Sequence, residues 1–259
     1  MTDTTAHDTV QGADPTATGP RVALVTGASG GIGRAVATRL GAQGMVVCVH
    51  YAGNRDRAQD TADAVTAAGG QTILVSGDVA DENAVSVMFD DLEATFGGVD
   101  VVVHTAGVLL LSPLTDLSLD DFEHMHRTNV RGTFVVNQQA ARRVRDGGAI
   151  INFSSSVVKL ALPSYAAYAA TKSAVDALTP ILAKELRGRN ITVNAVAPGP
   201  TATPLFLDGK SQQSIDALKN MTPLERLGQP EDIAETVAHL AGPARWINGQ
   251  VIYANGGII

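Results

Sequence analysis

The chain has 259 residues, of which 45% are hydrophobic and 17% are charged, and its net charge at pH 7 is −7. This apolar content is enough for a sizeable core, and the absence of any Lys/Arg run argues against a nucleic-acid-binding protein. No stretch approaches the roughly 20 apolar residues of a membrane helix, and the single cysteine, Cys48, excludes an internal disulfide. We therefore expect a cytoplasmic protein with neither nucleic-acid nor membrane partners.

Residues 1–20 are polar and lack the layout of a signal peptide, so we predict a disordered tail there and one domain over 21–259. From residue 21 onward, short β-like runs alternate with Ala-rich segments that have helical spacing. The predicted strands are Val22–Thr26, Met45–Tyr51, Gln71–Ser76, Val99–Thr105, Ala149–Ser154, Ile191–Val196 and Gln250–Tyr253. The predicted helices are Ile32–Gln43, Asp56–Ala68, Glu82–Phe96, Leu119–Arg145, Ala166–Arg187 and Pro230–Leu240.

Most of the predicted strands are continuous Val/Ile/Leu runs, which is typical of parallel strands buried on both faces. Strands that alternate with helices imply right-handed crossovers within one sheet. No Pro/Gly/Ser-rich linker divides the series. We therefore predict an α/β fold, with a single Rossmann-type, doubly wound, seven-stranded parallel sheet that carries helices on both faces.

The first predicted strand runs directly into a glycine-rich turn, Thr26-Gly27-Ala28-Ser29-Gly30-Gly31-Ile32-Gly33, where a helix begins. Small residues let the backbone approach a pyrophosphate, and a helix N-terminus offers unpaired N–H groups to an anion. The glycine spacing differs from the usual Gly-x-Gly-x-x-Gly pattern but meets the same physical need. A turn without any ligand is the alternative. The glycine-rich turn directly follows the first strand, and this position favours a dinucleotide site. The predicted contacts are Gly27, Ser29, Gly31, Ile32 and Gly33.

The second predicted strand ends at His50-Tyr51, and no acidic residue occupies its tip. A carboxylate at this place usually accepts from the ribose 2′-hydroxyl of NAD, whereas an arginine suits the 2′-phosphate of NADP. Asn54 and Arg55 follow the strand. We therefore predict that NADP(H) is favoured over NAD(H), with contacts from Tyr51, Asn54 and Arg55. The alternative is that Arg55 is a solvated charge at the start of a helix.

A carboxylate follows the third predicted strand in the sequence Gly77-Asp78-Val79. Asp78 could accept a hydrogen bond from the adenine amino group, or it could cap the helix that begins near Asp81. Both roles are open, and we include Asp78 and Val79 among the predicted cofactor contacts.

The most informative motif is Tyr168-Ala169-Ala170-Thr171-Lys172, in which the tyrosine and the lysine lie on one face of a helix. An isolated pair of this kind is more often a pair of surface neighbours. An ammonium held beside a phenol favours the phenolate and would lower the Tyr168 pKa from its usual value of ~10. Tyr168 could then exchange a proton with a substrate oxygen. Tyr165 has Ala169 four residues later, which indicates a packing or pocket residue.

The fifth predicted strand ends in Asn152-Phe153-Ser154-Ser155-Ser156, where a hydroxyl can bind a substrate oxygen. With this motif the chain resembles the short-chain dehydrogenase/reductase family, in its compact single-domain branch. The resemblance extends from about residue 21 to the C-terminus. The motifs that carry it are Thr26–Gly33, Asp78, Ala106-Gly107, Asn129, the serines, Tyr168 with Lys172, and Asn194 with Pro198-Gly199.

The resemblance implies that the catalytic residues are Asn129, Ser155, Tyr168 and Lys172, with Ser156 as the alternative serine. It implies that the side chain of Asn129 leaves a backbone carbonyl available for a water that links Lys172 to solvent. Tyr168 and Lys172 would also contact the cofactor. Further cofactor contacts implied by the family are Ala106, Gly107, Pro198, Gly199, Thr201 and Thr203, and a mobile substrate lid is implied around 200–222.

One motif departs from the family, which usually has Asn-Asn-Ala-Gly where this chain has His104-Thr105-Ala106-Gly107. His104 must replace the hydrogen bonds of a core amide, so we expect a structural role for it. We expect this departure from the family to affect the stability of the sheet more than the catalytic chemistry.

The function implied is hydride transfer between NADP(H) and a carbonyl or secondary alcohol, as in a ketone or 3-oxoacyl-type reductase. Apolar residues around 108–111, 160–165 and 205–207 favour a small-molecule substrate with apolar character. We expect no metal site and, from the resemblance, a homotetramer or a homodimer. The alternative is a catalytically inactive, dinucleotide-binding regulator or scaffold.

Overall fold

The computed structural model describes residues 19–259, and the predicted tail therefore lies almost entirely outside the described residues. Seven parallel strands form one sheet in the order β3-β2-β1-β4-β5-β6-β7. The strands are β1 (Val22–Thr26), β2 (Val46–Tyr51), β3 (Gln71–Ser76), β4 (Val99–His104), β5 (Val144–Phe153), β6 (Thr192–Pro198) and β7 (Val251–Ala254). The predicted fold class and strand count are confirmed.

The helices connect successive strands and cover both faces of the sheet. They are α1 (Gly31–Gly41), α2 (Arg55–Ala67), α3 (Glu82–Phe96), α4 (Leu119–His126), α5 (Gly132–Arg143), α6 (Val157–Leu160), α7 (Ala166–Glu185), α8 (Pro204–Leu207), α9 (Gln212–Met221) and α10 (Pro230–Ala241). One core layer lies between the sheet and α1, α2 and α10. The other lies between the sheet and α3, α5 and α7, and the sheet is therefore buried on both faces.

The predicted helix 119–145 is wrong in its continuity and in its end. A five-residue π-helical turn, Arg127–Arg131, separates α4 from α5. The chain then enters β5 at Val144, five residues before the predicted strand start. The apolar periodicity is maintained through the turn, so periodicity alone does not reveal it. Such turns often occur at functional sites.

Several element ends follow from local chemistry. Asp81 caps α3, because its side chain accepts hydrogen bonds from the backbone N–H groups of Asn83 and Ala84. Cys48 is buried in the centre of β2, as its apolar neighbours indicate. The order of the strands reverses between β1 and β4, so their carboxyl ends open a crevice at which ligands of such folds bind.

Candidate active site

A cleft of about 1250 Å³ opens at the carboxyl ends of the strands. It brings together residues that are far apart in the chain but that the sequence assigns to one site. The predicted residues that line it are Gly27, Ser29, Gly31, Ile32, Gly33, Asp78, Val79, Ala106, Gly107, Ser155, Tyr168, Lys172, Pro198, Gly199, Thr201 and Thr203. Asn129 lies behind this wall, and Tyr51, Asn54 and Arg55 are not among the lining residues.

The glycine-rich turn is shaped for a dinucleotide. Gly27 has a φ of +66°, and a Cβ placed on it would lie 2.8 Å from the backbone of Ala106. A Cβ on Gly33 would lie 2.4 Å from the carbonyl oxygen of Gly27. No side chain caps the N-terminus of α1, which leaves its first N–H groups available to an anion. These features fit the pyrophosphate of a nicotinamide dinucleotide.

The cation beside this turn is Arg57, and not Arg55. Asn54 caps α2 by accepting a hydrogen bond from the backbone N–H of Arg57, and Arg55 is the exposed first residue of that helix. Arg57, one half-turn later, lines the cleft, and a Cβ on Gly30 would collide with its guanidinium. The expectation that Asn54 and Arg55 face the cofactor is therefore not met. Sequence reasoning missed Arg57 because helical phase decides which arginine points inward.

Asp78 has a partner that the sequence did not suggest. Its carboxylate accepts a hydrogen bond from the guanidinium of Arg127 at 2.7 Å and another from the backbone N–H of Ala80 at 2.8 Å. Arg127 is the first residue of the π-helical turn and also lines the cleft. The ion pair is half exposed, so its contribution to stability is small. Asp78 therefore orders the turn before α3 as well as facing the cleft.

Ser155 and Ser156, adjacent in sequence, point in different directions. The hydroxyl of Ser155 accepts a hydrogen bond from the backbone N–H of Val157 at 3.3 Å, and the residue lines the cleft together with Tyr168. Ser156 is buried, where its hydroxyl donates to the carbonyl of Ala197 and accepts from the side chain of Asn255. This geometry favours Ser155 as the serine that meets a substrate oxygen.

The pKa of Tyr168 is raised by burial, which penalises the phenolate, and the neighbouring Ser155 hydroxyl, which can donate to the phenolate, opposes this only in part. The expected lowering of this pKa by Lys172 is therefore not met. The ammonium of Lys172 lies 5.7 Å from the centre of the Tyr168 ring and donates to the carbonyl of Phe153 at 2.8 Å. Burial lowers the pKa of Lys172 to about 8, with the carboxylate of Asp176 opposing the shift. Tyr168 is thus held as a neutral acid.

Asn129 is fully buried in the π-helical turn. Its side-chain oxygen accepts from the N–H of Val108 at 2.8 Å, and its amide donates to the carbonyl of Val108 at 2.9 Å. Its own backbone carbonyl accepts from the hydroxyl of Thr133 at 2.6 Å. A carbonyl oxygen has a second lone pair, so the expected hydrogen bond from a water to this carbonyl stays a prediction. The residue holds the strand-end segment 105–108 against α7.

His104 is buried at the tip of β4, and its Nδ1 lies 2.8 Å from the hydroxyl oxygen of Thr26. Its pKa is lowered to about 3, chiefly by burial. It is therefore neutral near pH 7 and connects β4 to β1. This is the structural role expected from the sequence.

The segment predicted as a lid contains α8 and α9. Thr203 caps α8 by accepting from the N–H of Phe206, and Thr201 donates its hydroxyl proton to the carbonyl of Gly199. Several apolar residues line the cleft: Leu109 follows β4, Leu160 and Leu162 precede α7, and Leu205, Phe206, Leu207 and Leu218 lie on α8 and α9. The reacting end of the cleft is thus walled by apolar side chains.

Two further features concern residues 19–259. This part of the chain holds no cluster of three or more His, Cys, Asp or Glu side chains that could bind a metal ion. None of its helices combines the length and the apolar composition needed to cross a membrane.

Comparison with known proteins identifies the family. Residues 27–259 match the family model described as enoyl-(acyl carrier protein) reductase. A short-chain type dehydrogenase/reductase of Picea abies is 42% identical, over 92% of this chain and 92% of the relative. A 3-oxoacyl-(acyl-carrier-protein) reductase of Staphylococcus aureus is 39% identical, over 91% of this chain and 97% of the relative. A dehydrogenase from Burkholderia cenocepacia, solved with bound NADP, has a TM-score of 0.89 and 31% identity, over 93% of this chain and 94% of the other.

The chain belongs to the short-chain dehydrogenase/reductase family. The prediction of an NAD(P)-dependent oxidoreductase is confirmed, and the alternative of an inactive scaffold is not supported.

Proposed function

We propose that this protein is an NADP(H)-dependent reductase that acts on the carbonyl of a ketone or 3-oxoacyl-type substrate. The observation that carries the proposal is that Ser155, Tyr168 and Lys172 line one cleft, with Lys172 one helical turn after Tyr168 on α7. Two donors converge there on a single place, as stabilisation of a developing alkoxide requires.

Each residue has a defined task in this reaction. When bound, the nicotinamide supplies the hydride. The hydroxyls of Ser155 and Tyr168 bind the carbonyl oxygen and orient the carbon, and Tyr168 donates its proton to that oxygen. The raised pKa of Tyr168 keeps this proton on the phenol until the oxygen becomes basic. Lys172, protonated below its pKa of about 8, stabilises the phenolate that results.

The apolar wall of the cleft supports a substrate with an aliphatic, acyl or alicyclic body. The 3-oxoacyl activity in the name of the Staphylococcus aureus relative supports the same class. The test is a panel of ketones, 3-oxoacyl thioesters and sugars, followed by the loss of NADPH absorbance and repeated with NADH. We expect the highest kcat/KM for apolar ketones or 3-oxoacyl thioesters with NADPH. Activity confined to sugars, or to NADH, would contradict the proposal.

The NADP preference is supported by the position of Arg57 beside the glycine-rich turn and by the NADP in the Burkholderia cenocepacia structure. We expect that Arg57→Ala raises KM for NADPH about tenfold or more and changes KM for NADH less than twofold, because a charge-assisted bond to a 2′-phosphate is lost. Initial-rate kinetics with both cofactors measure this.

Arg55→Ala is the matched control for that experiment, since it removes an arginine from the same helical turn but outside the cleft. It is expected to leave both KM values within twofold. Equal effects of the two substitutions would mean that the 2′-phosphate does not lie at Arg57.

We also propose a cytoplasmic homotetramer. Large apolar side chains are exposed on two helices and on the last strand, among them Phe134 on α5, Ile181 on α7 and Tyr253 on β7. Burial of such side chains between subunits would be favourable.

A further inference from the structure

His50 is the penultimate residue of β2, and its ring forms part of the cleft wall although only 1% of the residue is exposed. Its two ring nitrogens have partners of opposite character. Nδ1 accepts a hydrogen bond from the backbone N–H of Gly27 at 3.2 Å, and Nε2 lies 2.9 Å from the carbonyl oxygen of Gly77. An N–H can only donate and a carbonyl can only accept, so the imidazole must be neutral with its proton on Nε2.

These two hydrogen bonds connect separate parts of the dinucleotide site. Gly27 is the first glycine of the turn that is shaped for the pyrophosphate, and Gly77 directly precedes Asp78 on the opposite wall. The backbone of His50 adds a third contact, because its carbonyl accepts from the N–H of Ala28 at 3.0 Å. One residue therefore fixes the start of the turn relative to the ends of β2 and β3.

We propose that His50 is a positioning residue for NADP(H), and that the affinity for the dinucleotide falls when Nδ1 of His50 takes up a proton. The inference rests on the proposed NADP(H) dependence. A proton on Nδ1 replaces the acceptor with a donor that faces the Gly27 N–H, so two donors face each other with no acceptor between them. The glycine-rich turn must then shift away from the ring, and its N–H groups lose their alignment toward a pyrophosphate.

Two titratable side chains face His50. The carboxylate of Asp78, beyond β3, favours the protonated imidazole, whereas burial disfavours it more strongly and lowers the His50 pKa. His104 lies at the tip of β4 on the other side of β1, and its pKa of about 3 keeps it neutral above pH 5. Protonation of His50 is therefore expected below the ordinary histidine value of about 6.5.

Substituting His50 by asparagine or by glutamine tests its hydrogen bonds to Gly27 and to Gly77 separately. His50→Asn places an oxygen near the position of Nδ1, so it preserves an acceptor for Gly27 that does not titrate in this range. His50→Gln reaches toward Gly77 and leaves the Gly27 N–H without an acceptor. His104→Asn is the matched control, because it removes the other buried imidazole beside the turn.

Isothermal titration calorimetry of the full chain with NADP⁺ at pH 8, and at a pH below the His50 pKa that a ¹⁵N NMR titration locates, tests the inference. The 2′-phosphate also titrates near pH 6, but this change is common to every variant. We expect the wild-type chain and His104→Asn to lose about tenfold more affinity between these pH values than His50→Asn does. His50→Gln is expected to bind about tenfold more weakly than wild type at pH 8.

Equal pH dependence in the wild-type chain and His50→Asn would overturn the role of His50. So would ¹⁵N NMR of the cofactor-free protein that finds a proton on Nδ1 of His50 at pH 8. Wild-type protein that binds no NADP⁺ at pH 8 would instead overturn the proposed NADP(H) dependence, and the NMR titration would still report the state of the imidazole.

Discussion

Replacing Tyr168 by phenylalanine is expected to lower kcat by about 10²–10⁴-fold and to leave the Kd for NADPH within about twofold. The substitution removes one oxygen, which is both the proton donor and one of the two groups that bind the substrate oxygen. The ring remains, and with it the packing of α7 against the cleft. Stopped-flow or steady-state reduction measures kcat, and quenching of NADPH fluorescence measures binding.

Tyr165→Phe is the matched control, because Tyr165 lines the same cleft but has no lysine one helical turn after it. The ring of Tyr165 and the ring of Tyr168 meet edge to face, with their centroids 6.5 Å apart. Loss of this hydroxyl is expected to change kcat less than tenfold. A Tyr168→Phe enzyme with near wild-type turnover would remove Tyr168 from the mechanism.

Replacing Lys172 by methionine is expected to lower kcat by about a hundredfold or more. The stem of the side chain is retained, but the phenolate formed at Tyr168 loses its neighbouring positive charge. The wild-type kcat is also expected to fall as the pH rises through about 8, where burial places the pKa of Lys172. The charged form is present below this pKa and is lost above it, so the decline lies on the alkaline side.

The control is Lys184→Met, which removes an exposed lysine from the last turn of the same helix. It is expected to retain wild-type kcat and the alkaline decline, whereas Lys172→Met should have a flat profile over that range. An unchanged alkaline decline in Lys172→Met would assign the titration to another group. Measurement of kcat from pH 6 to 10 distinguishes these results.

The fold was predictable because its strands are buried on both faces. Runs such as residues 46–49 of β2 are continuously apolar, and this pattern is visible in the sequence without any tertiary information. The glycine-rich turn and the Tyr168–Lys172 pair were predictable for a similar reason. Each is a local pattern whose spacing alone determines where its groups lie.

The remaining features depend on contacts between distant segments. Whether Arg55 or Arg57 faces the cleft depends on the phase of α2 against the sheet, which Asn54 sets as the cap. The pKa of Tyr168 depends on how deeply its hydroxyl is buried, and a spacing of four residues carries no information on that. The hydrogen bonds of His50 are not visible in the sequence, because its two partners, Gly27 and Gly77, follow the strands β1 and β3.

The amide of Asn129 acts as a substitute for a peptide group. The amide offers the backbone of Val108 one hydrogen-bond acceptor and one donor, as a residue of an adjacent strand would. The hydrogen-bonding pattern of the sheet is thus continued beyond the last residue of β4. Aspartate has the same shape but would present two acceptors to a carbonyl that needs a donor. Position 129 thus tolerates little beyond asparagine on architectural grounds alone, whether or not that side chain ever handles a proton.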